Sequence, residues 1–579
     1  MLLHSTLFAL ALASAAVAAP SPNSSGSSAS SPVLHDGAPI VDLGKYGKYK
    51  GTVQNNGTVH SWKAIPYAAP PIGDLRFKGP RPLPKQNSTV QDVSDDFEST
   101  ACVQFSTTTF TGINAGPGQE DCLKLWVWAP AGAKKGDKLP VRVYTHGGAM
   151  QNRQSTNYDP SDWVGQDQGF VAVNANYRLG LLANWNSEGA LWEGETANVG
   201  VLDARFAVDW VKANIAAFGG DPKNIAVDGQ SGGGGMIMSQ LVLYDGKKPN
   251  YHKAIARSIQ DYPAFTLKEL TPRNDAFAAL VNCTDSAATK EGAKKQLACM
   301  RKVPAETIRL VSLDFEKMKQ ENGFSWPRWL PAVDGKTLTD GPIRLLKQNK
   351  IAQVPIMTGS PTNDFGGLIP SPDGNFSSLV PSILEIGHNV SLPLFEEFAR
   401  IYPAPSINAS ENTNTYANTD NRAWDWASDL NFRAASVEVA LAAVRSKQPS
   451  YFFRFDAPNL YGKWPAHFGA AHGADNSYLF NATSTMNATE QAIAYEWRAY
   501  LSSFVKHSDP NVERLDSAVE WQQASTSFRC LPRLAIAQQL GASANLSLPT
   551  GTAMEITPSN QYDRLMWLNS DAVLNETRH

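Results

Sequence analysis

Charge is sparse in this sequence. Lys, Arg, Asp and Glu together make up 18% of 579 residues, and the formal net charge is -3. No basic stripe runs along any segment, so no nucleic acid is expected as a partner. With 42% hydrophobic residues, the chain has ample apolar material for a large core and too little charge for a disordered polyelectrolyte. Long apolar runs are missing too. The stretch from Leu7 to Ala18 is too short to span a bilayer, and Ala16-Val17-Ala18 supplies the small residues a signal peptidase needs. Residues 1–19 are therefore expected to be a secretory signal peptide, and no stable membrane anchor is expected. The terminal Asn575-Glu576-Thr577-Arg578-His579 offers no hydrophobic tail for a lipid anchor.

Cysteine is also scarce. The five fall as two close pairs, Cys102 with Cys122 and Cys283 with Cys299, leaving Cys530 alone. In an oxidising compartment such pairs are natural loop staples, although spacing leaves their connectivity open. Eleven Asn-x-Ser/Thr sequons agree with secretion: Asn23, Asn56, Asn87, Asn282, Asn375, Asn389, Asn408, Asn481, Asn487, Asn545 and Asn575.

Residues 20–37 open with Ser, Pro and Ala and are expected to form a disordered lead-in. No linker interrupts residues 38–579, which are expected to form one domain. Within it, short β-branched runs alternate with helical stretches. Val141-Arg142-Val143-Tyr144, Phe170 to Ala175 and Asn224 to Asp228 are predicted strands. Leu202 to Phe218 carries one apolar stripe, through Ala204, Ala207, Val208, Val211 and Ile215, and is a predicted helix. Gly234 to Leu243 is another. This alternation predicts an α/β fold with a large, mostly parallel sheet covered by helices on both faces.

Gly229-Gln230-Ser231-Gly232-Gly233 matches Gly-x-Ser-x-Gly between a predicted strand and a predicted helix. In that setting the pattern forms a sharp, strained turn whose serine projects as a nucleophile. No Gly-Lys-Ser/Thr follows, so a phosphate loop is set aside. Upstream, His146-Gly147-Gly148-Ala149 follows a predicted strand. Small residues let the backbone N–H groups approach a developing oxyanion, the charge that acyl transfer creates. In such sites the acid and then the histidine follow the serine along the chain. That order, with His252 too soon after the serine to leave room for the acid and His579 at the terminus, leaves His388, His467, His472 and His507 as candidate bases. His472 lies in the small-residue loop Gly469-Ala470-Ala471-His472-Gly473. For the acid, Asp364 follows the strand-like Val354 to Thr358, with Asp334 and Asp475 as rivals.

These residues resemble the type-B carboxylesterase/lipase family, which includes cholinesterases and fungal secreted lipases. The resemblance starts near residue 40 and continues to the C-terminus. It rests on Ala64-Ile65-Pro66-Tyr67-Ala68, Leu75-Arg76-Phe77, Glu120-Asp121-Cys122-Leu123, His146-Gly147-Gly148-Ala149, Asn176-Tyr177-Arg178-Leu179-Gly180, Phe218-Gly219-Gly220-Asp221-Pro222, the serine turn and residues 473–480. It implies the α/β-hydrolase fold and ester hydrolysis without metal or organic cofactor. The implied catalytic residues are Ser231 as nucleophile, Asp364 as acid and His472 as base, with oxyanion N–H groups from Gly148, Ala149 and Gly232. It further implies disulfides Cys102–Cys122 and Cys283–Cys299 and structural ion pairs Arg76–Glu120 and Arg178–Asp203. The sequence departs from the family at Gln230, where an acidic residue is usual, and at Asp364, where Glu is common. The segment between Cys102 and Cys122 is short and holds no tryptophan. Cholinesterases place a cation-binding indole there, and family lipases a longer lid. A small, soluble ester is therefore the expected partner, and Phe105 and Phe110 are candidates to line its path. Oligomeric state is left open.

Overall fold

The computed structural model describes residues 33–35, 37–86, 89–93, 100–105, 117–192, 197–322, 329–366, 391–403, 419–460, 469–525, 531–536 and 552–577. The expected signal peptide, nearly all of the lead-in, Cys530, Phe110, His388 and His467 lie outside them, as do the sequons at Asn23, Asn87, Asn375, Asn389, Asn408 and Asn545.

An 11-stranded sheet organises the structure. Its strands in chain order are β1 (Thr52–Gln54), β2 (Val59–Pro66), β3 (Lys124–Pro130), β4 (Leu139–Thr145), β5 (Val171–Ala175), β6 (Gly220–Gln230), β7 (Lys253–Arg257), β8 (Ile356–Pro361), β9 (Ser450–Phe455), β10 (Pro532–Ile536) and β11 (Ala553–Ile556). Their spatial order is β11-β10-β9-β8-β7-β6-β4-β5-β3-β2-β1. The run from β5 through β4 and β6 to β10 is parallel. Antiparallel strands close both edges. Strands Val33–His35, Ala38–Asp42, Lys48–Lys50 and Val90–Asp92 make a separate small sheet.

Side-chain alternation explains why helices cover both faces of the large sheet. Val141, Val143, Val171, Val173, Ile225, Val227, Ala254 and Ala256 join one buried cluster. Their in-between neighbours Tyr144, Ala172, Ala226 and Ile255 join another. Period-two strands buried on both faces read as continuous apolar runs, the signature of a covered parallel sheet. Helices α1 (Val199–Asn214), α2 (Gly232–Val242) and α3 (Ala434–Arg445) contribute to the first cluster. Helices α4 (Ala474–Phe480) and α5 (Ala488–His507) contribute to the second.

Ion pairs pin the loops on this frame. Arg76 meets Glu120 at 2.6 Å and Arg178 meets Asp203 at 2.7 Å, all four side chains being largely buried. The sulfurs of Cys102 and Cys122 are 2.02 Å apart, and those of Cys283 and Cys299 are 1.97 Å apart. Phe105 is buried, packed on the backbone of Gly180. No helix among the described residues is long and apolar enough to cross a membrane.

Candidate active site

The end of β6 runs directly into α2, and Ser231 occupies the junction with φ 63° and ψ -127°. This backbone region is unfavourable for any residue with a Cβ and persists only where surroundings enforce it. Ser231 N donates to Arg257 O at 3.0 Å, while Ser231 O accepts from Gly235 N at 2.9 Å and Gln260 N at 3.2 Å. Crossing this tightly requires bare backbone on either side. A Cβ on Gly229 would lie 2.3 Å from Gly233 O, and one on Gly233 would lie 2.1 Å from Thr145 O.

The loop after β4 meets the start of α2. A Cβ on Gly232 would come within 2.9 Å of Ala149 N and 2.7 Å of Met150 N, so these N–H groups converge beside the serine. Gly148 (φ 100°), Ala149 (φ 54°) and Met150 (φ 58°) all take positive φ. Their curl is closed by Gln151 N and Asn152 N donating to Gly148 O at 2.8 and 3.0 Å. No described residue accepts a hydrogen bond from Gly148 or Ala149 N–H. Gly232 N–H belongs to the first helical turn, where donors lack intrahelical partners. His146 is fully buried and stacks on Tyr177 at 4.6 Å, with Nδ1–H donating to Gly147 O. Burial drives its pKa down to about 4, so the ring is a neutral wedge beneath the loop.

His472 reaches the serine from the opposite side. Its Nε2 lies 2.7 Å from Ser231 Oγ, and its Nδ1 lies 2.7 Å from Asp364 Oδ1. Asp364, in the turn after β8, is fully buried, and its Oδ1 also accepts from Ser258 Oγ at 3.2 Å. The Phe432 ring stacks on the imidazole, with centroids 4.6 Å apart and planes at 24°. Phe432 sits in a π-helical turn, Asp429–Arg433, within the helical run from Thr419 to Arg445.

A buried charged layer lies beneath. Asp228 on β6 bonds Arg142 at 2.5 Å and Arg257 at 3.1 Å, and Arg257 also pairs with Asp475. Burial raises the Asp475 pKa against the opposing pull of Arg257. Asp475, one of the rival acids, thus faces Arg257. Asp334, the other, accepts turn N–H groups from Lys336, Thr337 and Leu338. His507 pairs with Glu513 at 2.7 Å at the surface. Ser258, Phe432 and Arg257 lie in no motif, and Asn476 lies within the 473–480 segment without a sequence signal for its contact. Only the small-residue loop around residue 472 signalled that something packs closely there.

Chemically, an alcohol, a base and two or three convergent N–H donors suit attack on a carbonyl whose oxygen becomes negative. Comparisons with known proteins point the same way. Residues 38–545 match the family profile described as Carboxylesterase family. The para-nitrobenzyl esterase of Bacillus subtilis is 30% identical over 494 residues, covering 82% of this chain and 91% of that protein. Secreted lipase 1 of Botryotinia fuckeliana is 28% identical over 518 residues, covering 82% and 85% respectively. The crystal structure of Aspergillus niger EstA superimposes with a TM-score of 0.77 at 24% identity, covering 94% of this chain and all of that one. It supports the shared fold.

Proposed function

The chain belongs to the carboxylesterase family, whose members hydrolyse carboxylic esters, and we propose that it does so through Ser231, His472 and Asp364. The observation that carries this reading is the unbroken contact chain of 2.7 Å from Ser231 Oγ to His472 and 2.7 Å from His472 to Asp364. His472 takes the Ser231 proton as Oγ attacks the ester carbonyl. The N–H groups of Gly148, Ala149 and Gly232 hold the tetrahedral oxyanion. The alcohol leaves with the proton from His472, and water activated by the same ring releases the acid. Asp364 keeps the Nδ1 proton in place. Replacing Ser231 with Ala should cut kcat by at least about 10⁴-fold. Unchanged hydrolysis would refute the assignment.

The substrate we infer is a soluble ester with an acetyl or short- to medium-chain acyl group, because the Cys102–Cys122 segment is short and lacks tryptophan. Relatives named as lipases favour a second reading, a triacylglycerol lipase. Rates on a short-chain ester measured across its solubility limit separate the two. A smooth saturation curve is expected, and a jump at the interface would favour the lipase. We also propose that the protein is secreted as one catalytic unit spanning residues 38–579. A relative named as a secreted lipase supports this, and mass analysis of protein from culture medium should show residues 1–19 missing. Asn56 and Asn282 are exposed sequon positions open to glycans.

A further inference from the structure

The side chain before the nucleophile is aimed at the nitrogen that must take the serine proton. Gln230 is 2% exposed, and its Nε2 lies 3.3 Å from His472 Nε2. Its Oε1 accepts from Asn476 Nδ2 at 3.0 Å. Asn476 Oδ1 in turn accepts from Arg257 Nη1 at 2.7 Å. A guanidinium carries donors only, so this chain of amides has one direction. Arg257 holds Asn476 oxygen-first, which leaves the Asn476 N–H for Gln230. Gln230 must answer with oxygen, and only its N–H remains for His472. Arg257 cannot turn away, because Asp228 holds it at 3.1 Å and Asp475 pairs with it from the other side.

We propose that Gln230 is a positioning residue that presents an N–H to His472 Nε2 and so selects the tautomer with its proton on Nδ1. The inference rests on reading His472 as the base. An N–H can sit against Nε2 only while that nitrogen keeps its lone pair, the form that accepts the Ser231 proton. With Nε2 protonated, N–H would face N–H. A carboxylate at position 230 would do the reverse and welcome the proton. Among the described residues, the other charged groups around the ring are Asp364 on Nδ1, Asp475 with Arg257 against it, and Asp228 behind Arg257. Asp429 and Arg433 flank Phe432 on the stacked segment and pair with each other. None of these changes when Gln230 is replaced.

The test is kcat/KM for p-nitrophenyl acetate between about pH 4 and 9, whose acid limb reports the base of the free enzyme. Gln230→Glu should move that limb up by at least one unit, so that activity on the limb falls about tenfold further at fixed pH. Gln230→Met, of similar size but without the N–H, should move it by a smaller amount in the same direction. Asn476→Leu should also move it upward with Gln230 intact, because the amide is then free to reverse. Rates of Ser231 labelling by a fluorophosphonate should follow the same limbs without turnover. Thermal melts identify any variant that fails to fold, and the folded ones decide the outcome. Profiles that overlay the parent, or that drop in height with an unmoved limb, overturn the proposal. A Ser231→Ala protein that still hydrolyses the ester overturns instead the reading of the site on which it rests.

Discussion

At Asp364, one carboxylate oxygen serves two donors while the other is left alone. Oδ1 accepts from His472 Nδ1 at 2.7 Å and from Ser258 Oγ at 3.2 Å. Oδ2 is buried with no partner among the described residues. The short Asp arm thus places a single oxygen at the ring, and the Ser258 hydroxyl steadies it. Asp364→Asn offers an amide that can hold the wrong imidazole tautomer, and kcat should fall by about 10⁴-fold. Ser258→Ala removes one hydrogen bond to a charged acceptor, at about 1.5 kcal/mol, so kcat should fall roughly tenfold. Equal losses in the two variants would place Ser258 in a different role. His146 supplies a pH dependence of stability. Burial holds its folded pKa at about 4, below the ordinary imidazole value of 6.5. Between those values the unfolded chain binds a proton that the folded chain refuses. This contribution is complete above pH 6.5 and is lost as pH falls toward about 4, at about 1.4 kcal/mol per pH unit. Urea unfolding of the parent should therefore weaken more steeply with acid than that of His146→Gln, and parallel slopes would remove His146 as the cause.

Elements differ in how openly the sequence announces them. The β6–turn–α2 unit was legible because β-branched residues, glycines and an apolar helix each obey a local rule. Predicted Asn224–Asp228 lies inside β6, and predicted Gly234–Leu243 nearly coincides with α2. The predicted helix Leu202–Phe218 proved to be α1 plus a closing 3-10 turn, Ile215–Phe218. The π-turn Asp429–Arg433 was not legible, because its composition is that of ordinary helix. Most of the contacts that hold it are long-range. Asp429 is held by Arg433, Arg564 and the Tyr402 hydroxyl, and Asn431 O accepts from Asp261 N at 2.9 Å. One extra residue in a turn redirects a side chain, and such bulges often mark functional sites. Here the redirected side chain is Phe432, whose ring restrains the plane of His472 and attracts its protonated form. Phe432→Ala should lower kcat by about 3- to 30-fold, with Phe432→Tyr restoring most of it. An alanine variant of unchanged kcat would reduce the stack to packing. The pairing of Asp475 with Arg257 was equally hidden, since a sequence separation of 218 leaves no local trace.

Over the whole molecule, the site stands where the parallel strand order turns back, between β6 and β4, so loops from distant segments must all be held against one sheet edge. The two disulfides serve that requirement unequally. Next to Cys102, Gln104 donates to Arg153 O at 3.2 Å, and Phe105 N donates to Gln151 O at 2.8 Å. This staple is therefore tied to the loop that carries Gly148 and Ala149. Cys283 and Cys299 join the end of helix Leu267–Leu280 to helix Lys290–Met300, and neither cysteine bonds to a residue of the site. Each closes a loop of similar length, with sequence separations of 20 and 16. Loop-closure entropy then assigns each about 3 kcal/mol. Spread over the unfolding entropy of a chain this long, that is a fall of about 2 to 3 °C in Tm for either pair changed to Ala. Activity should separate them. The Cys283→Ala/Cys299→Ala protein should keep its kcat at 25 °C within about twofold. The Cys102→Ala/Cys122→Ala protein should lose about tenfold, as the oxyanion loop loosens against the serine. Scanning calorimetry and single-ester kinetics on both variants measure the two effects. Equal kinetic losses would mean that the oxyanion loop is held by the sheet alone, and that the Cys102–Cys122 staple stabilises the fold without shaping the site.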